Sequence, residues 1–389
     1  MPRRRRNAAA PGSCPMTAVR LLKNGQEAFP AMFQAVDRAT KNIALEMYIL
    51  SDDATGRAFR ERLLRAALRG VDVMVLVDSW GSWQLSDAFW DPLRSAGGQV
   101  RWFHPITKGL LPFRNHRKML LVDDQTAYLG GMNVADEYYA GSSGNAPWRD
   151  NMLEIDGADA AQLRDSFRLM WEKAELPLHR ALLRIGGSPA PAFPSRMVTF
   201  LESGPEDPQR PVRRMYRQLI GSARSSIDLA MGYFYPHGRL LRALRRAVRR
   251  GVRVRLLFPL KTDLPVTRWA ARGLYGRMLR AGVEVWEYQP VMMHAKLAIA
   301  DNAVIAGSAN LDIRSGMINY ELVALVNDAA LAARARSDFE EDLRQSVRID
   351  LQAWRRRPML QKLKERLSYC ILARGDILLS RTRFARWMR

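Results

Sequence analysis

Cysteine is almost absent from this sequence. Cys14 and Cys370 are the only two in 389 residues, which excludes a disulfide framework and a cysteine-built zinc site. No apolar run reaches the ~18 residues of a membrane-crossing helix. The opening "MPRRRRNAAAPGSCPM" is basic but lacks the apolar core of a signal peptide. No tight cluster of carboxylates and histidines stands out as a metal site, so neither metal nor cofactor is expected. Acidic residues are also in short supply. The 61 Lys and Arg outnumber the 39 Asp and Glu, giving a formal charge of +22. Such an excess points to a polyanionic partner, either nucleic acid or an anionic membrane surface.

What the chain does contain is written twice. "NHRKMLLVDDQTAYLGGMN" runs from Asn115 to Asn133, and "MHAKLAIADNAVIAGSAN" from Met293 to Asn310. Both read His-x-Lys-x-x-x-x-Asp, then small residues, then x-Asn. With five histidines in the chain, one accidental match is about a one-in-a-hundred event and two about one in ten thousand. The repeat extends further. "NIALEMYIL", "FRERLLRAALRGVDVMVLVD" and "LRSAGGQVRWFHP" precede the first motif. "SIDLAMGYFYP", "LLRALRRAVRRGVRVRLLFP" and "MLRAGVEVWEYQP" precede the second. Each half reads strand, helix, strand, helix, strand, hairpin, which predicts an α/β fold. Gly70 and Gly251 fall just past their helices, where a left-handed stop is expected.

Prolines crowd the stretch between the halves, and this sets the expected boundaries. A basic disordered arm occupies 1–18. The first domain spans 19–175, a linker 176–196 and the second domain 197–353. A basic tail with interspersed leucines covers 354–389. That tail either lies in a lipid interface or packs back on the body.

The chemistry follows from spacing. Residues two apart on a strand share a face, so His116 stands beside Lys118 and His294 beside Lys296. Asp123 and Asp301 fall at hairpin turns, where a carboxylate accepts backbone or lysine hydrogen bonds. The small residues 130–131 and 307–308 let an anion approach the backbone, and Asn133 and Asn310 add neutral donors. A phosphate diester fits this set. Lysines and asparagines bind its free oxygens, one neutral histidine attacks phosphorus, and a protonated one assists the leaving alkoxide. Each half supplies a single histidine. The economical arrangement is therefore two facing domains, related by a pseudo-two-fold axis, that share one site.

These motifs, with "GGMNVADEYY", "WRDN", "YFYP" and "GSANLDIRSGMINYE", resemble the two HKD motifs of the phospholipase D superfamily. More narrowly, they are similar to bacterial cardiolipin synthases of the short B type. The resemblance covers about Leu21 to Arg357. It implies two fused phospholipase D-like domains, each a mixed β-sheet flanked by helices. It implies metal-free transfer of a phosphatidyl group between two phosphatidylglycerol molecules through a phosphohistidine, giving cardiolipin and glycerol. His116, Lys118, Asp123, His294, Lys296 and Asp301 would form the catalytic set, and Asn133 and Asn310 would hold phosphate. Asp150 and Glu321 match the positions that orient the imidazoles. Either histidine suits the nucleophile, with His116 the favoured one. The expected partners are phosphatidylglycerol and an anionic phospholipid membrane rather than nucleic acid. The expected location is peripheral on the bacterial inner membrane. A phospholipase D-type hydrolase of phospholipid or nucleic-acid diesters is the alternative within the same chemistry. A non-catalytic binder of anionic lipid is the alternative outside it.

Overall fold

The computed structural model describes residues 17–105, 113–142, 144–176 and 197–382, with only the helical path given for 376–382. All but Leu176 of the expected linker 176–196, most of the expected N-terminal arm and the last seven residues of the expected tail lie outside these residues.

The first lobe holds β1 (Ala18–Lys23), β2 (Asn42–Met47), β3 (Asp72–Asp78), β4 (Gln99–Phe103), β5 (Met119–Val122), β6 (Thr126–Gly130) and β7 (Asn151–Asp156). They form one sheet in the order β1-β7-β6-β5-β2-β3-β4. The second lobe holds β8 (Val198–Ser203), β9 (Ser226–Met231), β10 (Phe234–Tyr235), β11 (Arg253–Pro259), β12 (Glu284–Tyr288), β13 (Lys296–Ala300), β14 (Ala303–Gly307), β15 (Leu311–Asp312), β16 (Glu321–Asn327) and β17 (Ser346–Arg348). Its main sheet runs β8-β16-β14-β13-β9-β11-β12-β17. This is the first lobe's order with one added edge strand, and β10 pairs separately with β15. In each main sheet the three strands linked by helices are parallel and the rest antiparallel, so both sheets are mixed.

Local signals place the crossovers. Asp53 caps the helix Ala54–Leu68 by accepting from Gly56 N–H. Gly70 and Gly251, both at φ 87°, end their helices in the left-handed region that an L side chain resists.

Strand alternation decides which face meets what. On β2 and β5, Ile43, Leu45, Leu120 and Val122 point to the helices Asn24–Arg38 and Ala54–Leu68. Ala44, Met119 and Leu121 point the other way. There they join Leu297, Ile299, Leu322 and Ala324 of the second lobe in a single core. Helices Leu163–Glu175 and Ala329–Arg344 contribute to this shared core. The two sheets are therefore joined by a shared core of buried apolar side chains.

The C-terminal segment is helical and packs one side on the body. Helices Leu351–Arg355 and Met359–Thr382 follow the second sheet, and the longer one packs on the helix Pro265–Leu279.

Candidate active site

Both motif histidines sit where the lobes meet, and short bridges across the junction hold them there. Asn115 bridges to Tyr320 and Arg149 to Met293, each in parallel sense. His116 N–H donates to the Tyr320 carbonyl (3.0 Å), and His294 N–H to the Arg149 carbonyl (2.8 Å). Every motif histidine is thus pinned to the segment that carries the opposite lobe's carboxylate.

Those carboxylates reach the rings. His116 Nδ1 lies 3.1 Å from Glu321 Oε2, and His294 Nδ1 lies 2.9 Å from Asp150 Oδ2. A carboxylate accepts, so Nδ1–H donates in both cases, which fixes the tautomer and turns each Nε2 away from its carboxylate. All four side chains are buried. The two halves are not identical here. Ser308 donates to Glu321 (2.5 Å). Gly131 stands at the matching place, where an added Cβ would lie 2.4 Å from Asp150 Oδ1. The longer Glu321 leaves room for a hydroxyl, and the shorter Asp150 fills the space itself.

The lysines fall as their spacing predicts. Lys118 Nζ donates to the His116 carbonyl (2.6 Å), and Lys296 donates to the His294 carbonyl and lies 2.9 Å from that ring's nitrogens. Burial, then the charges of Lys118 and Lys296, holds His116 well below its ordinary pKa. The ring is therefore neutral and carries a free lone pair at neutral pH. That lysines of both lobes act on one imidazole shows how tightly the site converges. Burial and Lys296 also lower His294, but its bond to Asp150 works in the opposite direction. Burial lowers Lys296 to about 8 and raises Glu321 to about 7.

Aromatic rings wall the crevice. Tyr48 stands edge-on to His116 with ring centres 4.8 Å apart. Tyr138, Trp148 and Tyr233 surround His294 at 5.7, 5.8 and 5.7 Å. Beyond the first ring of contacts, Asp78 pairs with Arg114 and accepts from Asn115 N–H (2.8 Å). Glu46 accepts from the Asn115 amide (2.7 Å) and pairs with Arg117. Both carboxylates brace the segment that presents His116.

Two expected roles need correction. Asp123 and Asp301 lie at the far ends of their strands, away from the imidazoles. Asp123 accepts from the N–H groups of Thr40, Lys41 and Asn42 at 2.9, 2.7 and 3.0 Å. Asp301 accepts from those of Arg224, Ser225 and Ser226 at 2.8, 2.9 and 3.1 Å. Each caps the start of the neighbouring strand from a left-handed turn position. A catalytic part for them is replaced by a structural one. Asp123→Ala should cost about 1–3 kcal/mol of stability while leaving kcat unchanged, as read by urea unfolding beside a turnover assay.

Asn133 also differs from expectation. Its Oδ1 accepts from Ile49 N–H (3.1 Å) and its Nδ2 donates to the Tyr138 hydroxyl (2.9 Å). It therefore positions Tyr138, whose hydroxyl lies 3.1 Å from His294 Nδ1. Asn310 is buried with an Oδ1 that has no hydrogen-bond partner. The sequence reading missed Tyr48, Tyr138 and Arg314, whose charge also acts on His116. The quoted stretches "ALEMY", "ADEYY" and "LDIRS" contain them, but no spacing rule marks them.

Residues 32–171 and 216–343 match the family described as "Cardiolipin synthase, PLD-like domain". Cardiolipin synthase A of Pseudomonas putida (strain GB-1) is 36% identical over 91% of this chain and 74% of its own length. The probable cardiolipin synthase YwiE of Bacillus subtilis (strain 168) is 32% identical over 89% and 70%. The Pseudomonas relative carries the A designation, not the B that the motifs suggested. Among solved structures, phosphatidylserine synthase of Haemophilus influenzae Rd KW20 shares the fold. Its TM-score is 0.71 over 93% of this chain and 94% of its own, at 16% identity. With two motif-bearing lobes converging on one crevice and the family model covering both, the chain belongs to the cardiolipin synthase, phospholipase D-like domain family.

Proposed function

We propose that this crevice moves a phosphatidyl group from one phosphatidylglycerol to a second, yielding cardiolipin and glycerol. His116 Nε2 attacks phosphorus, and Glu321 takes up the growing positive charge on the ring through Nδ1–H. The phosphorus–oxygen bond to glycerol breaks, and the proton on His294 goes to the departing oxygen. His294, now neutral, accepts a proton from the terminal hydroxyl of the incoming lipid. That oxygen displaces His116 and completes the new diester. Lys118, Lys296 and Asn310 hold the phosphoryl oxygens. The negative charge of a bound diester raises the pKa of His294 and so supports its acid form.

The crossed pairing of imidazoles and carboxylates carries this reading. It gives each ring a carboxylate partner at Nδ1, and burial with the lysine charges keeps His116 neutral while Asp150 works for a proton on His294, as a two-step transfer requires. Mass spectrometry of phosphatidylglycerol vesicles tests it. Cardiolipin and glycerol should appear in equal amounts. Phosphatidic acid without cardiolipin would assign hydrolysis instead, and cleavage of DNA would assign a nuclease.

Among the described residues, no helix is long and apolar enough to cross a membrane. The proposed location is peripheral, on the inner membrane, drawn to anionic lipid by the formal charge of +22.

Acidity should shape the rate from both sides. Glu321 acts as a carboxylate, so kcat/KM falls as pH drops through about 7. Lys296 acts as a cation, so the rate falls again as pH rises through about 8. Glu321→Gln should remove the acid limb and cost about 10²-fold. A variant profile that keeps that limb would assign it to another group.

A further inference from the structure

The C-terminal helix Met359–Thr382 has one side covered and an apolar side left open. Glu365, Ser368 and Ala373 are buried against the second lobe. On the opposite side Met359, Leu360, Leu363, Leu367 and Ile371 are 56–82% exposed. Spacings of three and four residues align them in one stripe. An uncovered apolar stripe of this length on a folded surface marks an interaction site.

Charge identifies the occupant. Lys364, Arg366 and Arg374 border the stripe, all exposed. Lys362 and Arg366 also line a hollow of about 400 Å³ with Arg277, Arg280 and Arg355. Among the described residues, Arg277, Arg280, Arg355 and Arg366 form no ion pair. A protein partner of ordinary composition does not call for so many unpaired guanidinium groups, whereas an anionic lipid surface does.

The helix also touches the site. Tyr369, Leu372 and Ala373 share a cluster with Tyr233 and Tyr235, and Tyr233 is the ring against His294. Tyr233 donates to Asp263 (2.7 Å), and the next residue, Leu264, is exposed. On the other lobe, exposed Trp80 and Trp83 rise from the loop that presses on Tyr48 at Gly81.

We propose that the helix Met359–Thr382 is an in-plane anchor that sinks its outer stripe into an anionic leaflet and seats the crevice on the bilayer. This deepens the functional reading above by naming the docking surface, and it rests on that reading for the choice of a lipid partner. The test uses the full chain with Leu360, Leu363, Leu367 and Ile371 each changed to Ser. Flotation with phosphatidylglycerol vesicles should weaken at least about 100-fold. Turnover of vesicle lipid should fall in step, while turnover of monomeric dihexanoyl-phosphatidylglycerol stays at the parental rate. Changing Lys364, Arg366 and Arg374 to Gln should weaken flotation about fivefold per residue, with no such loss on phosphatidylcholine vesicles. Parental flotation of the four-serine variant overturns the proposal. So does a parental dimer in sedimentation velocity that the variant converts to monomer, since a second copy would then cover the stripe. Failure of the parent to form cardiolipin from phosphatidylglycerol vesicles sinks the transferase reading instead, and flotation still decides the anchor.

Discussion

His116→Ala is expected to lower cardiolipin formation by about 10⁴-fold or more, and His294→Ala by about 10²–10⁴-fold. The two losses differ in kind. Without His116 there is no atom to carry the phosphatidyl group, and changing the leaving group does not help. Without His294 the nucleophile survives, but glycerol must depart without a proton. A diester that releases p-nitrophenolate needs no such proton. His294→Ala should therefore still give a burst of p-nitrophenol, and acid quenching should trap phosphohistidine. His116→Ala should give neither. The assignment rests on His116 being the more strongly neutralised ring, held between the charges of Lys118 and Lys296, while Asp150 supports a proton on His294. The opposite pattern of bursts would exchange the roles. Equal bursts from both variants would remove the division of labour altogether.

Arg149→Ala is expected to cost about 3–5 kcal/mol, the range for an uncompensated buried charge. Arg149 and Asp342 are both buried and belong to different lobes. The Arg149 Nε lies 3.0 Å from each Asp342 oxygen, and Nη1 donates to the Asp150 carbonyl (2.7 Å). Its own backbone N–H donates to the Met292 carbonyl (2.8 Å). One side chain thus staples the junction directly beside Asp150 and His294. The alanine variant leaves the buried Asp342 carboxylate with only the more distant Lys23, 3.8 Å from its Oδ1. Thermal unfolding should drop by roughly 10 °C, and activity should fall because His294 loses its register. Replacing both partners, Arg149→Met with Asp342→Leu, should regain much of the stability, because no charge is then left unpaired. A single variant that melts within about 2 °C of the parent would show that the pair is dispensable.

The doubled motif made half of the site readable without coordinates. A period-two face brought His116 to Lys118 and His294 to Lys296, and the repeat implied a shared crevice. The left-handed stops at Gly70 and Gly251 were equally legible, since few residues but glycine accept that conformation. Motif membership alone misled at Asp123 and Asp301. A pattern records that an aspartate is required but not whether it meets a substrate or three backbone N–H groups. Asn133 misled similarly, because its amide faces Ile49 and Tyr138 across long sequence separations. The strands β1, β7 and β16 went unread, although β7 and β16 begin at the carboxylates that orient the rings. Short apolar segments carry little periodicity, and their pairing is decided by neighbours far away in the chain. The tail's helix was foreseeable from its leucines. Which side faces inward depended on the groove offered by Pro265–Leu279.

The crossed bonds from His116 to Glu321 and from His294 to Asp150 have an inheritance consequence. A chimaera that took one half from a relative would keep its native histidine yet depend on a foreign carboxylate to aim it. With serine beside glutamate on one side and glycine beside aspartate on the other, a mismatched graft would disturb both rings at once. Substitutions at these four places are therefore bound to travel together, and neither half is free to drift alone.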